Sequence, residues 1–282
     1  MLAGFWFVIM GLVVGILVGL TGLGGGALMT PLLIVGGLST VVAIATDIAY
    51  SAITKVFASI IHIRDRNVDF KIVGILLSGS LPGLFTGYYF SKLILDNFGE
   101  SGLNLILTFI LSILLISLSL ISITNEVVRI IVKIIEDHPD EVLEEFHHVD
   151  NDETEMNLQD LLLNRQTYAI ILGAFAVGTL VQLTSVGAGV LVTILLLGFL
   201  PAKRVVGTEL VHASVLVIIS AILYSSNGFV EYNVLWKIVI GTIVGIVIGI
   251  RYSKRIPKDR FKLILLGVIL VAGIIVLVEG FG

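Results

Sequence analysis

The sequence predicts an all-α polytopic membrane protein of two inverted structural repeats, each a glycine-tipped helical hairpin plus about three further transmembrane helices. Three observations carry that prediction. Of the 282 residues 57% are hydrophobic and only 13% charged, more apolar surface than a soluble domain of this size buries. A glycine-rich break, GLTGLGGGALMTP at Gly19 to Pro31, recurs in degenerate form as QLTSVGAGVLVTI at Gln182 to Ile194. Finally, the basic loops fall at different places in the two halves, as upside-down copies require.

Apolar stretches run at about 4–20, 27–37, 40–62, 71–91, 103–123, 167–183, 190–200, 205–226, 234–252 and 261–280. Most reach the roughly 17 to 25 residues that cross a bilayer, whereas 27–37 and 190–200 are too short to do so unaided. The first stretch has no Lys or Arg before it and no small-residue cleavage site after it. It is therefore expected to persist as a helix rather than to be removed as a secretory signal. The stripes Gly79-x3-Gly83-x3-Gly87 and Gly241-x3-Gly245-x3-Gly249 put one smooth face on each of two helices, which favours close packing against a neighbour.

A shift of about 162 residues superposes the halves. Thr21, Gly24, Gly26 and Thr30 fall on Thr184, Gly187, Gly189 and Thr193, Thr46-Asp47 on Thr208-Glu209, and Val68-Asp69-Phe70 on Val230-Glu231-Tyr232. In the first half the basic loop is Arg64 to Lys71; in the second that position, Ser225 to Asn233, has no cation, and the next loop, Arg251 to Lys262, is the basic one. Since cytoplasmic loops are enriched in Lys and Arg, the halves are expected to lie inverted, with 4–37 and 167–200 as hairpins carrying the glycine motif at the tip. That arrangement puts the termini outside and the central loop inside. The expected domains are a first repeat at 1–124, an acidic cytoplasmic connector at 125–166 and a second repeat at 167–282.

The connector opens with an amphipathic run, Val127 to Ile135, and holds eleven Asp and Glu between Glu136 and Asp160. Such a block reads as a solvated segment with one or two short helices. Its His138, His147, His148, Asp150 and Asp152 match no standard metal spacing, and no metal or other cofactor is expected. The absence of cysteine excludes disulfides, thiol nucleophiles, zinc thiolates and cysteine-bound iron–sulfur clusters. An intramembrane enzyme needs a convergent nucleophile, base or metal set, and neither HExxH nor Gly-x-Ser-x-Gly is present; no enzymatic activity is expected. The glycine motif lacks the Lys-Ser/Thr of a nucleotide-binding loop, which argues against ATP. No nucleic-acid partner is expected.

Broken helices duplicated in inverted halves mark the binding site of secondary transporters. Gly22, Gly24, Gly25 and Gly26 let a ligand approach the main chain closely, and helices restarting near Ala27 and Val190 would turn N–H groups and positive dipole ends toward an anion. Candidate substrate-binding residues are thus Thr21, Gly22, Gly24, Gly25 and Gly26 in the first motif, and Gln182, Thr184, Ser185, Gly187 and Gly189 in the second. Asp47 and Glu209 occupy equivalent places near the starts of helices 40–62 and 205–226. Each is either a proton-coupling carboxyl group or an acid that complements a helix start. Lys55, mid-helix, either pairs with Asp47 or lines an anion path. His212 stands three residues after Glu209 and is a candidate to share its proton, though a lone His is commonly a packing residue.

At this duplicated pattern the chain resembles the TauE/SafE-type family of sulfite and organosulfonate exporters. Gly19, Gly22, Gly24-Gly25-Gly26 and Pro31, then Thr184, Gly187 and Gly189, carry the resemblance together with Thr46-Asp47, Gly207-Thr208 and the two Val-acid-aromatic sequences. It covers all but the acidic loop. The resemblance implies secondary movement of sulfite, sulfoacetate or related sulfonates across the cytoplasmic membrane of a prokaryote. The second motif departs from the pattern, lacking the glycine triplet and the proline, and the acidic insertion is longer than the family's connector. The bilayer, a small anion and protons are the expected partners. An anion channel and a sensor or scaffold acting through the acidic loop are the alternatives.

Overall fold

The computed structural model describes residues 2–21, 26–136, 165–186, 188–196, 202–253 and 258–280. These form helices α1 (Leu2–Thr21), α2 (Gly26–Val35) and α3 (Thr40–Arg64), then a helical stretch Phe70–Glu136 broken at Gly99, where φ 68° and ψ −173° leave helical space. Its parts are α4 (70–98) and α5 (100–136). The rest are α6 (Arg165–Thr184), α7 (Ala188–Leu196), α8 (Ala202–Ser226), α9 (Tyr232–Ser253) and α10 (Lys258–Glu279). No strand occurs among the described residues.

Five helices of the described residues are long and apolar enough to cross a membrane, counting 70–124 as one. By contrast α2 and α7 have 10 and 9 residues, and at about 1.5 Å per residue neither spans a bilayer, as expected of the stretches 27–37 and 190–200. The links joining them to α1 and α6 contain Gly22 to Gly25 and Gly187, which lie outside the described residues, as do 137–164 of the acidic connector. The amphipathic run 127–135 is continuous with α5, which reaches Glu136; no Gly or Pro stands between Leu103 and Glu136 to stop it.

Local chemistry fixes the ends of α3 and α4. Arg66 takes the left-handed φ of 55°, and the N–H groups of Asp65, Arg66 and Asn67 return to the carbonyls of Ile61, Ile63 and His62, which satisfies the last turn of α3. Asp69 then caps α4, its Oδ1 accepting from the N–H groups of Lys71 (3.0 Å) and Ile72 (3.2 Å).

Packing crosses between the halves. The α4 stripe lies on α6: a Cβ at Gly83 would stand 2.0 Å from the carbonyl oxygen of Phe175, while on α6 one at Gly178 would stand 2.0 Å from that of Ser80. The α9 stripe lies on α1 in the same way, with Gly241 against Val8 and Gly245 against Leu12, and α1 answers with Gly11 and Gly15 against Ile238 and Thr242. Only glycine permits these backbones to approach so closely. At the centre α3 packs on α8, with 56% of the most apolar 18-residue stretch of each buried.

Contacts also give the helix directions. The Asn67 carbonyl, just past the end of α3, abuts Gly207 near the start of α8. Conversely the Glu231 N–H, past the end of α8, donates to Thr46 Oγ1 near the start of α3 (3.1 Å). Thus α3 and α8 run antiparallel. Gly11 and Gly15 of α1 meet Ile238 and Thr242 in register, and Gly79 and Gly83 of α4 meet Ile171 and Phe175 in register, so both of these pairs run parallel. On the outside α10 packs antiparallel on α5, with Gly273 against Leu115 and Gly280 against Thr108. Thr108 also joins Thr40 at the start of α3 (2.6 Å), and Asn104 accepts from the Val41 N–H (2.9 Å).

Gly83→Leu and Gly241→Leu are expected to lower stability by about 1–3 kcal/mol each through forced separation of the helices, read as a fall in the melting temperature of the detergent-purified protein. Gly74→Leu, at a position with no atom near its Cβ direction, leaves the melting temperature within a degree or so.

Candidate functional site

The polar interior of the molecule is organised along α3. Asp47, Ser51 and Lys55 recur every fourth residue and so share one face of that helix. Asp47 has no solvent exposure. Its carboxylate accepts hydrogen bonds from Thr30 Oγ1 of α2 (2.5 Å), Ser185 Oγ at the end of α6 (2.9 Å) and Ser51 Oγ one turn along α3 (3.5 Å). Two of these donors come from the short-helix regions of opposite halves. Ser185 reaches its position in a left-handed conformation, φ 62°, unusual for a residue other than glycine.

Lys55 does not take Asp47 as its ion-pair partner. It extends to Glu209 on α8, with Nζ 3.5 Å from Oε1 and side chains 15% and 8% exposed. The sequence could not have shown this, because the partners are 154 residues apart. Gly189, at the start of α7, lies against the same carboxylate; its Cβ direction points 3.6 Å from Oε1. An acid at a helix start complements the positive end of that helix. So each buried acid joins the halves, Asp47 through a hydroxyl and Glu209 through a cation.

His212 does not reach Glu209. Its Nε2 is 2.8 Å from Ser80 Oγ on α4, and Nδ1 has no hydrogen-bond partner among the described residues although the side chain is fully buried. A related pair places Tyr50, three residues after Asp47, close to Thr242 of α9. Residues 50 and 212, like 80 and 242, are separated by the repeat interval of 162. The same reciprocity appears in the backbone: the Asp69 N–H donates to Thr208 Oγ1 (3.0 Å) and the Glu231 N–H to Thr46 Oγ1 (3.1 Å).

The remaining candidates divide. Gln182 is buried, its Oε1 accepting from Ser220 (2.6 Å) and its carbonyl from Tyr224 (2.6 Å), which ties the end of α6 to α8. Thr184 Oγ1 donates to the Leu180 carbonyl (2.7 Å) and accepts from the Val186 N–H (3.2 Å), so this hydroxyl closes the break after α6. Gly26 opens α2. Gly22, Gly24, Gly25 and Gly187 lie outside the described residues, as does the side chain of Thr21. Thr30, Ser51, Ser80 and Ser220 were not singled out by sequence. Ser51 is four residues from Asp47 and Thr30 is duplicated as Thr193, signals that would have found those two; the partners of Ser80 and Ser220 are distant and leave none. No cluster of metal-binding type occurs among the described residues.

Comparison with known proteins bears on this arrangement. A family model described as "Sulfite exporter TauE/SafE" matches residues 7–276. Three Bacillus subtilis (strain 168) proteins are similar over nearly their whole lengths. They are the "Probable membrane transporter protein YjnA", 33% identical over 95% of this chain and 97% of its own; YunE, of the same description, 27% identical over 97% of each; and YdhB, likewise, 26% identical over 93% and 96%. No solved structure gives a significant match. With its apolar spanning helices and a match that runs almost end to end, this multi-pass membrane protein belongs to the sulfite exporter TauE/SafE family.

Proposed function

We propose that the protein is a secondary transporter of small sulfur-containing anions, sulfite or sulfonates, across the cytoplasmic membrane, with protons as the coupling ion. The observation that carries the reading is the pair of buried acids, each held by a group from the other half, Asp47 by Ser185 and Glu209 by Lys55, the cation that attracts the anion. Ionisable groups in the membrane interior are costly and mark ion pathways. Family membership and the relatives described as membrane transporters support the transport class, and the family's description as sulfite exporters supports the sulfur oxyanions.

Two inverted repeats fit the helix directions. The equivalent helices α3 and α8 are antiparallel, and the reciprocal bonds of Asp69 to Thr208 and Glu231 to Thr46 relate one half to the other at an interval of 162. In this reading the α1–α2 and α6–α7 links form hairpin tips near the midplane, where Gly22 to Gly26 and Gln182 to Gly189 approach the anion. Rocking of one half against the other then alternates access. The termini face outside and the acidic connector faces the cytoplasm, on the strength of Arg64 to Lys71 and Arg251 to Lys262.

Proteoliposomes holding the purified protein should take up labelled sulfite, methanesulfonate or thiosulfate saturably and faster under an imposed pH gradient. Absence of flux for every anion would remove the reading, and single-channel currents would assign a channel instead. Asp47→Ala strands three hydroxyl donors, each loss costing on the order of 1 kcal/mol, and flux should fall at least tenfold at equal insertion. Single cysteines replacing Asn67 and Lys258 should label from the cytoplasmic side and one replacing Asn227 from the other; co-labelling of all three would contradict the inversion.

A further inference from the structure

We infer that Glu209 and the transported anion compete for one cation, the ammonium of Lys55, so that Glu209 takes up one proton for each singly charged anion carried. This rests on the transport reading above and narrows it, for the two acids are not equivalent. Asp47 is fully enclosed and its carboxylate is filled by Thr30, Ser51 and Ser185. It works as a tie between the halves, and an arriving anion has nothing there to displace.

Glu209 is placed differently. Among the described residues its carboxylate has one polar partner, Lys55, at 3.5 Å, a separation at the long end of a charge-assisted contact. Both side chains keep some exposure, 15% and 8%, so the pair lies on the edge of solvent-reachable space. Around it stand groups suited to an oxyanion. The first turn of α7 lies against the carboxylate at Gly189. One turn along α8, His212 holds an unpartnered, buried Nδ1, while its Nε2 lies 2.8 Å from Ser80 Oγ; in the tautomer in which Ser80 donates to Nε2, Nδ1 is a neutral donor. Lys55 is near enough for its charge to act on the imidazole. An anion bound at Lys55 beside the α7 start therefore finds two favourable groups, the ammonium and the positive end of α7, and one unfavourable one, the Glu209 carboxylate.

Charge balance makes the exchange obligatory. A buried charge left without its counter-charge is strongly unfavourable. When the anion takes Lys55, the displaced carboxylate must either repel it or bind a proton. The step is balanced as Glu209–COO⁻ plus H⁺ giving Glu209–COOH, while the Lys55 ammonium passes from carboxylate to anion. On the far side the anion leaves, Glu209 loses its proton there and the Lys55–Glu209 pair re-forms. The cycle moves one anion and one proton together with no net charge.

Methanesulfonate and isethionate, which keep a single charge at working pH, are suitable probes in proteoliposomes of the full chain. Each should accumulate about tenfold for each unit of pH gradient on the alkaline side, as one-to-one coupling dictates, and the ratio should not change when a potassium diffusion potential is imposed. Glu209→Gln should collapse the ratio to about one, Glu209→Asp should restore a pH-driven ratio, and Asp47→Asn should keep the ratio in whatever flux remains. Equal fluorescence size-exclusion profiles confirm that the variants are folded. A potential-sensitive ratio, or accumulation kept in Glu209→Gln, overturns the exchange. If neither sulfonate moves the exchange also falls; labelled sulfite moving in the same vesicles would then leave the transport reading intact, whereas its failure would remove both.

Discussion

The antiparallel crossing of α3 and α8 is the constraint on which the rest of the structure depends. Each helix is met near its start by the loop that follows the other, through Asn67 against Gly207 and through Glu231 bonded to Thr46. Each also carries an acid near its start, Asp47 and Glu209. Because the helices run in opposite directions, the two acids stand toward opposite ends of the crossing, and each meets partners from the other half. A charge in an apolar interior persists only with compensating groups, and here each acid draws one of them from across the boundary, Asp47 from Ser185 and Glu209 from Lys55. The polar interior is thus both the candidate site and the joint between halves.

Around that crossing the outer helices are exchanged. The first helix of the chain packs chiefly on α9 rather than on its sequence neighbours, and α6 packs on α4, in each case through glycine faces pressed against carbonyl oxygens. Lipid gives apolar helices little reason to prefer one another, so close backbone approach and hydrogen bonds must supply the specificity. Thr179 donating to the Gly83 carbonyl (3.0 Å) and Thr242 to the Gly11 carbonyl (3.1 Å) add one polar contact to each pair.

Much of this was readable in the sequence because it is local. Stretches 27–37 and 190–200 declared themselves too short to span, and the stripes through Gly83 and Gly245 declared packing faces. What the stripes meet was not readable, since the complementary surfaces are backbone oxygens that any sequence provides. Lys55 was equally opaque: the nearest acid in sequence is Asp47, two turns away, but three hydroxyls already occupy it. The assignment of Gln182 and Thr184 rested on their place in the motif, whereas their atoms are engaged with Ser220, Tyr224 and the local backbone. The continuation of α5 to Glu136 shows a further limit, for polarity changes along that segment while helical propensity does not.

The pairing of α1 with α9 has a consequence for how the chain is made. Translation releases α1 first, yet the surface that matches Gly11 and Gly15 is encoded some 230 residues later, at Ile238 and Thr242. Until then the glycine face of α1 can only rest against lipid. Synthesis therefore leaves the amino-terminal half inserted but unclosed, and the carboxy-terminal helices complete it from outside. A chain that stops before α9 lacks the surface on which the Gly11 and Gly15 face of its earliest helix docks.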